Sequence, residues 1–328
     1  MTLSLRWGTV TAVRDRVEGL VRLEVDGVAC LAYPQLTGEV EERDVVLVNT
    51  QAQDLGLGSG GFDILYANLT RGLNLPAPEE AHVMVLPYTP LQNAVRCVEE
   101  SDVLADDLGG MPVVCCGVHS QLGPALAGIG PGVRVAYVQV AGGALPVSLS
   151  DTVRVLKNRN LLDVAIAVAP CHDADAQGVT VPAALAWARG CGFDIAVCGI
   201  GPGIVGTGSP LGHGGIAVSD AANAAAALGG RAIIAPRISE ADARERHRGV
   251  SHHTQAALRL CLGRPDVAWP QGLDGMARLD RAVDVDVTGW EEACSGLPLT
   301  HMGRGAREEP WFFAAAFAAG RLARAYLD

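Results

Sequence analysis

The chain has 328 residues, 49% of them hydrophobic and 19% charged, which is enough apolar material for a large core and too little charge for a disordered tail. Its 25 basic residues face 36 acidic ones, a formal charge of −11, and such a field repels nucleic acid and anionic membrane surfaces. Lysine occurs once, at Lys157, so the phosphate loop Gly-x-x-x-x-Gly-Lys-Ser/Thr is absent and a Schiff base would have only that residue to use.

Residues 1–72 read as a first domain. Short runs alternate apolar and polar positions over 8–13, 20–25, 28–33 and 45–48, the period of strands. Asp26-Gly27 between the second and third runs is a tight-hairpin signal. These elements predict a small antiparallel β-barrel. Six arginines face ten acids up to Arg71, which disfavours an oligonucleotide-binding barrel.

The stretch 74–80 has linker composition, and from 73 to 328 the pattern becomes α/β. Strands are expected over 82–86, 112–116, 133–140, 163–169, 194–198 and 232–235. Helices are expected over 91–100, 121–127, 150–158, 182–190, 218–228 and 251–262. The strand runs are continuously apolar, as a parallel sheet covered on both faces requires. The fold class is therefore a small antiparallel β-barrel followed by a mostly parallel open sheet with helices on both faces, a Rossmann-like three-layer arrangement. Residues 265–309 are irregular, and Pro310 opens a last helix with an apolar face and Arg321 and Arg324 near its end.

Two segments without Asp, Glu, Lys or Arg, 108–133 and 195–219, are interrupted by glycine, proline and polar residues, which argues against membrane spans. Nine cysteines, mostly in apolar runs, read as small buried hydrophobes, and with no basic-then-apolar start the expected setting is a reducing cytoplasm.

Ligands of an open parallel sheet bind beyond the carboxyl ends of its strands. The richest loop there is 199–215, which holds eight glycines. Such a loop can turn backbone N–H groups toward an anion, so Gly201, Gly203, Gly206, Thr207 and Gly208 are candidate cradle residues, although turns and close packing also call for glycine. The string 201–206 matches Gly-x-Gly-x-x-Gly, but Pro210 and further glycines postpone the helix, and no acid ends the next strand. A dinucleotide site is therefore disfavoured.

The second constellation is the segment 244–254. Arg246, Arg248 and a helix N-terminus capped by Ser251 suit a phosphate or carboxylate, or simply a solvated charged face. His252 and His253 fall in the first turn, where the dipole favours neutral rings. Neighbours on a helix point ~100° apart, so the two should not both reach one metal. His119, Ser120, His213, His252 and His253 are candidate acid, base or orienting groups. Ser120 lacks the Gly-x-Ser-x-Gly elbow, and Cys171-His172-Asp173 are sequence neighbours of unknown geometry, so neither marks a nucleophile. His82 and His301 are expected to be structural.

The strings at 53–63, 119–122, 201–208, 244–254 and 302–305 resemble those of the bacterial family known as domain of unknown function 3866, over nearly the whole chain. The resemblance implies no activity and names no cofactor. The reading the residues favour is an anionic small molecule bound at the sheet edge, with or without turnover. Two alternatives stay open: a sensor or assembly module that docks or dimerises through its barrel, and a metal-dependent hydrolase built from His119, His172, Asp173 and His213.

Overall fold

The protein is described by a computed structural model covering residues 3–56, 61–71, 75, 79–101 and 103–328. Most of the expected linker and the centre of the string 53–63 lie outside the described residues. The chain separates into two compact units, residues 1–81 with 87–94 and residues 82–86 with 95–328.

The first unit is a closed barrel of β1 (Leu5–Val17), β2 (Leu20–Val25), β3 (Val28–Ala32), β4 (Val45–Asn49) and β5 (Asp63–Asn68) in the order β1-β2-β3-β5-β4. Asp26 and Gly27 turn the β2–β3 hairpin with φ of 52° and 79°, the left-handed pair that such a two-residue turn demands. Alternation places Val10, Leu23, Val25, Val46 and Leu65 inside. The barrel is mixed rather than antiparallel, because β3 and β5 run parallel, with Cys30 opposite Asp63. Closing a five-stranded sheet whose fourth and fifth strands form a hairpin leaves β5 no other direction against β3.

The second unit is built on eight parallel strands: β6 (Pro112–Cys116), β7 (Val135–Val140), β8 (Val164–Val168), β9 (Ala176–Gly178), β10 (Ile195–Ile200), β11 (Arg231–Ala235), β12 (Asp266–Pro270) and β13 (Ala282–Val285). Their order is β9-β8-β7-β10-β6-β11-β12-β13. Every residue of β6, β7 and β10 is buried, which explains why these strands read as unbroken apolar runs. One face packs α1 (Leu122–Ile129), α2 (Asp151–Asn158) and the C-terminal helix, and the other packs α3 (Val181–Gly190), α4 (Ala217–Ala227) and α5 (His252–Leu260). Ser150, Thr180 and Ser251 cap α2, α3 and α5 by accepting backbone N–H bonds.

The C-terminal helix, α6 (Pro310–Ala325), crosses α1 at backbone contact. A Cβ at Gly320 would run into the Ala125 carbonyl, and one at Gly128 into that of Phe317. Glycine at both positions lets Phe317 reach the sheet core.

Three expectations are corrected. Residues 91–100 form a short strand (Asn93–Val95) and a 3-10 turn (Val98–Glu100), too short for the expected helix. Residues 83–85 are a strand outside the eight-stranded sheet. Residues 265–309 supply the last two strands, β12 and the edge strand β13, so the sheet is wider than the sequence pattern suggested. Among the described residues no helix is long and apolar enough to cross a membrane; the two uncharged segments divide into strand, loop and helix.

Candidate functional site

The first sheet strand, β6, leads through α1 toward β7, while its neighbour β11 leads through α5 toward β12. The strand order therefore reverses between β6 and β11, and the crevice at their carboxyl ends is the favoured ligand position. A cavity of about 10 Å³, room for one water-sized group, lies there between Gly117, Gln121, Gly215, Arg237, His253 and Thr254. A larger open hollow of about 550 Å³ lies at the ends of β12 and β13, but Asp286, Glu291 and Glu292 line it, and carboxylates repel an anion.

The glycine-rich segment 199–215 folds back on itself. Gly206 pairs with His213, the Gly214 N–H donates to the Val205 carbonyl at 2.7 Å, and the Thr207 N–H donates to Gly212 at 2.7 Å. The Val205 N–H donates to Gly142 at 2.9 Å, and the Ser209 N–H to Thr207 Oγ1 at 3.2 Å. These N–H groups are spent within the protein, so the loop is not the open cradle its composition suggested. Close approach accounts for the glycines: a Cβ at Gly201 would meet the Ala144 carbonyl, and at Gly206 it would lie 2.8 Å from His213 Cβ. Gly203 turns the chain at φ 70°. The hairpin contributes His213 itself, and Gly208, over which the Arg246 guanidinium lies.

Beyond β11 the chain makes an excursion closed by a two-residue ladder, Ile238 opposite Val250 and Ser239 opposite Gly249. Its tip meets the hairpin. The rings of His213, His247, His252 and His253 gather with centroids 3.7 to 5.4 Å apart, His213 stacked on His253 at 3.7 Å. The expectation that His252 and His253 should not both reach one point is corrected: their ring centroids are 4.5 Å apart, and a nitrogen of each lies within 4.8 Å of the other. The ~100° separation applies to the Cβ directions, and two rotatable bonds bring both rings to the same side of the first turn.

His213, His247 and His253 are buried, and burial next to arginines holds them neutral. Burial, then Arg237 and Arg244, lowers His247 to about 3; burial, then His213 and Arg237, lowers His253 to about 2. His213 is lowered by burial, against a weak opposing pull from the Pro210 carbonyl, and His252 by burial and then His213. Neither ring nitrogen of His213 and not Nε2 of His252 has a well-formed hydrogen bond. Ser251 Oγ accepts from the His253 N–H at 3.2 Å and lies 2.7 Å from His247 Nδ1.

Around the imidazoles runs a ring of guanidinium groups. Asp242, 1% exposed, is shared by Arg237 at 3.4 Å, Arg244 at 2.9 Å and Arg304 at 3.3 Å. Arg304 also pairs with buried Glu309 at 2.6 Å, and Glu309 accepts from Ser239 Oγ at 2.7 Å. Arg248 donates through Nε to the Asp242 carbonyl at 3.0 Å, and its side chain is otherwise exposed. Arg246 is exposed and makes no hydrogen bond or ion pair among the described residues. Five guanidiniums thus surround two buried carboxylates, a local positive excess on an acidic protein. The exposed Glu245 and Glu308 border it, where water screens them.

The remaining candidates separate. His119 Nδ1–H donates to the Ile200 carbonyl at 3.0 Å, and Nε2 accepts from Ser150 Oγ at 2.7 Å, so both nitrogens are occupied and the ring ties β10 to the cap of α2. Both contacts are internal to the fold and engage the nitrogens that acid–base work would need. Ser120 Oγ lies 3.0 Å from Nδ1 of His301, which was expected to be structural. His301 stacks on Phe312 at 3.9 Å, its Nε2 is buried without a partner, and burial and then Arg237 lower it to about 3. A turn with Met302 at φ 51° and Gly303 at φ 77° carries His301 and Arg304 into the site. Ser120 and His301 form a pair; no group orients the far nitrogen as a triad would require. Burial pushes the Cys171 thiol up to about 12, which rules out a ready thiolate. His172 lends its carbonyl to the Val147 N–H at 3.0 Å.

Among the described residues, the group with the spacing to hold a metal ion is His213, His252 and His253, with one nitrogen of each within 4.8 Å of the others. The set His119, His172, Asp173 and His213 does not converge.

Asp242, Arg237, Arg304, Glu309 and His301 were not among the candidate site residues of the sequence, since nothing local marks the way 237–242 and 301–309 come together.

Compared with known protein families, residues 29–320 match the family of proteins of unknown function designated DUF3866, and the chain belongs to that family. No curated protein matches it.

Proposed function

We propose that this member of DUF3866 binds an anionic small molecule, bearing a phosphate or a carboxylate, at the carboxyl edge of its parallel sheet where the strand order reverses. The observation that carries the reading is Asp242: one carboxylate serves three guanidiniums, which leaves positive charge uncompensated beside neutral imidazoles with unpartnered nitrogens. Arg246, exposed and unpaired at the rim, is the natural first contact for the ligand's charge.

Turnover is favoured less than binding: of the serines beside a histidine, Ser150 and Ser251 are fully buried helix caps, and Ser120 has no third group behind His301. The hydrolase alternative, with the histidines as metal ligands, has the spacing of His213, His252 and His253 in its favour. A reducing setting such as the cytoplasm is supported by nine unpaired cysteines whose thiols are all pushed up by burial.

A thermal-shift screen of phosphate, phosphate esters and carboxylic acids tests the reading. An anion at one hundred times its Kd should stabilise the wild type by about 2.7 kcal/mol. The same concentration should shift Arg246→Ala much less. Anions that leave the wild type unmoved, or move both proteins equally, contradict the proposal.

A further inference from the structure

The hydrogen bond between Arg237 and His253 decides what the histidine trio can receive. Arg237 Nη1 lies 3.2 Å from His253 Nδ1, and both groups are buried. A guanidinium only donates, so Nδ1 must accept, and the single proton of the neutral ring sits on Nε2. His253 is thereby locked as an Nε2–H donor. A metal needs that nitrogen bare, since a ligating imidazole gives up its lone pair.

One ring nitrogen from each of the three lies within 4.8 Å of the others, close enough for all three to face one small group. A cation would also add its charge to a site where guanidiniums already exceed buried carboxylates.

We infer that His213, His252 and His253 present three N–H groups to one terminal oxygen of a phosphoryl group, and that Arg237 is the positioning residue that fixes the donor tautomer of His253. This deepens the anion reading above and rests on it. The neutral state of the rings leaves each with one N–H to give, and His213, neither of whose ring nitrogens makes a well-formed hydrogen bond, gives its own to the phosphoryl oxygen in place of the nearby Pro210 carbonyl. The dianionic charge of a phosphoryl group matches the guanidinium excess better than the single charge of a carboxylate. Its remaining oxygens would face Arg246.

The test titrates the full chain by calorimetry with inorganic phosphate, acetate and zinc ion, each alone, in wild type, His252→Ala, His252→Gln and Arg246→Gln. His252 is half-buried, so truncation spares the core. Phosphate should bind more tightly than acetate. His252→Ala should weaken phosphate by roughly 10-fold or more, the cost of one hydrogen bond to a charged group, and His252→Gln, which keeps an N–H, should recover part of it. Nitrogen-15 imidazole spectra should show His253 protonated at Nε2. If Arg246→Gln weakens phosphate while His252→Ala does not, the histidine inference falls and the anion reading stands. If neither anion binds, both fall. Stoichiometric zinc binding abolished by His252→Ala, or a His253 ring protonated at Nδ1, overturns the inference in favour of a metal centre.

Discussion

Acidification should destabilise the α/β unit between pH 6.5 and 5.5, by about 3 kcal/mol from three histidines alone. Burial, reinforced by the guanidiniums, lowers His247 and His301 to about 3 and His253 to about 2. Each ring takes up a proton near pH 6.5 once the chain unfolds, whereas the folded protein refuses it until far lower pH. The unfolded state therefore binds more protons throughout that interval. Stability is complete about one unit above pH 6.5 and falls as pH drops through it, at a slope that approaches about 1.4 kcal/mol per unit for each ring. His119, lowered to about 4 mainly by burial, adds to the same slope over the upper part of the range. Asp242, held well below the usual carboxylate range by Arg244, joins only in stronger acid. Urea unfolding across a pH series measures this directly. The expected result is an uptake of three to four protons on unfolding near pH 5.5; a flat profile between pH 7 and 5.5 would show that these rings are not held neutral.

Asp242→Asn should be the most damaging single substitution in the site. It conserves shape but removes the charge that Arg237, Arg244 and Arg304 share. Arg237 is 3% exposed and would be left buried without its counter-charge, a loss in the range of about 3 to 5 kcal/mol. Arg304 keeps Glu309 and Arg244 reaches solvent, so the cost concentrates on Arg237. Phosphate, if it occupies the adjoining site, should return part of the lost stability, because a bound anion replaces the missing charge. Chemical denaturation with and without phosphate reads both effects. A loss below about 1 kcal/mol would mean that Arg237 is adequately solvated without Asp242.

The sequence exposed the parts of this molecule that are written locally. Unbroken apolar runs at 112–116 and 194–198 read as doubly covered strands, and Asp26-Gly27 as a tight turn, and both are present. The glycine-rich segment and 244–254, each picked out from the sequence as a possible ligand-binding stretch, meet where His213 stacks on His253. What stayed hidden depends on distance along the chain. Ser120 and His301 are 181 positions apart, and Asp242 finds Arg304 across 62. Glycine content also misled in kind: it signalled backbone proximity, as at Gly201 against Ala144, more than anion contact. The last two strands of the sheet, β12 and β13, are five and four residues long and polar in part, too brief to declare a period. The Met302-Gly303 turn was the one local hint of the hairpin that carries His301.

The most direct measurement is a crystal grown with an oxyanion that scatters anomalously, such as selenate or tungstate, at a pH near 7.5. The account predicts an anomalous peak within hydrogen-bond reach of the ring nitrogens of His213, His252 and His253 and facing Arg246. A bound oxyanion found elsewhere on the molecule while this position stays free, or a transition-metal peak ligated by the three histidines, would contradict it.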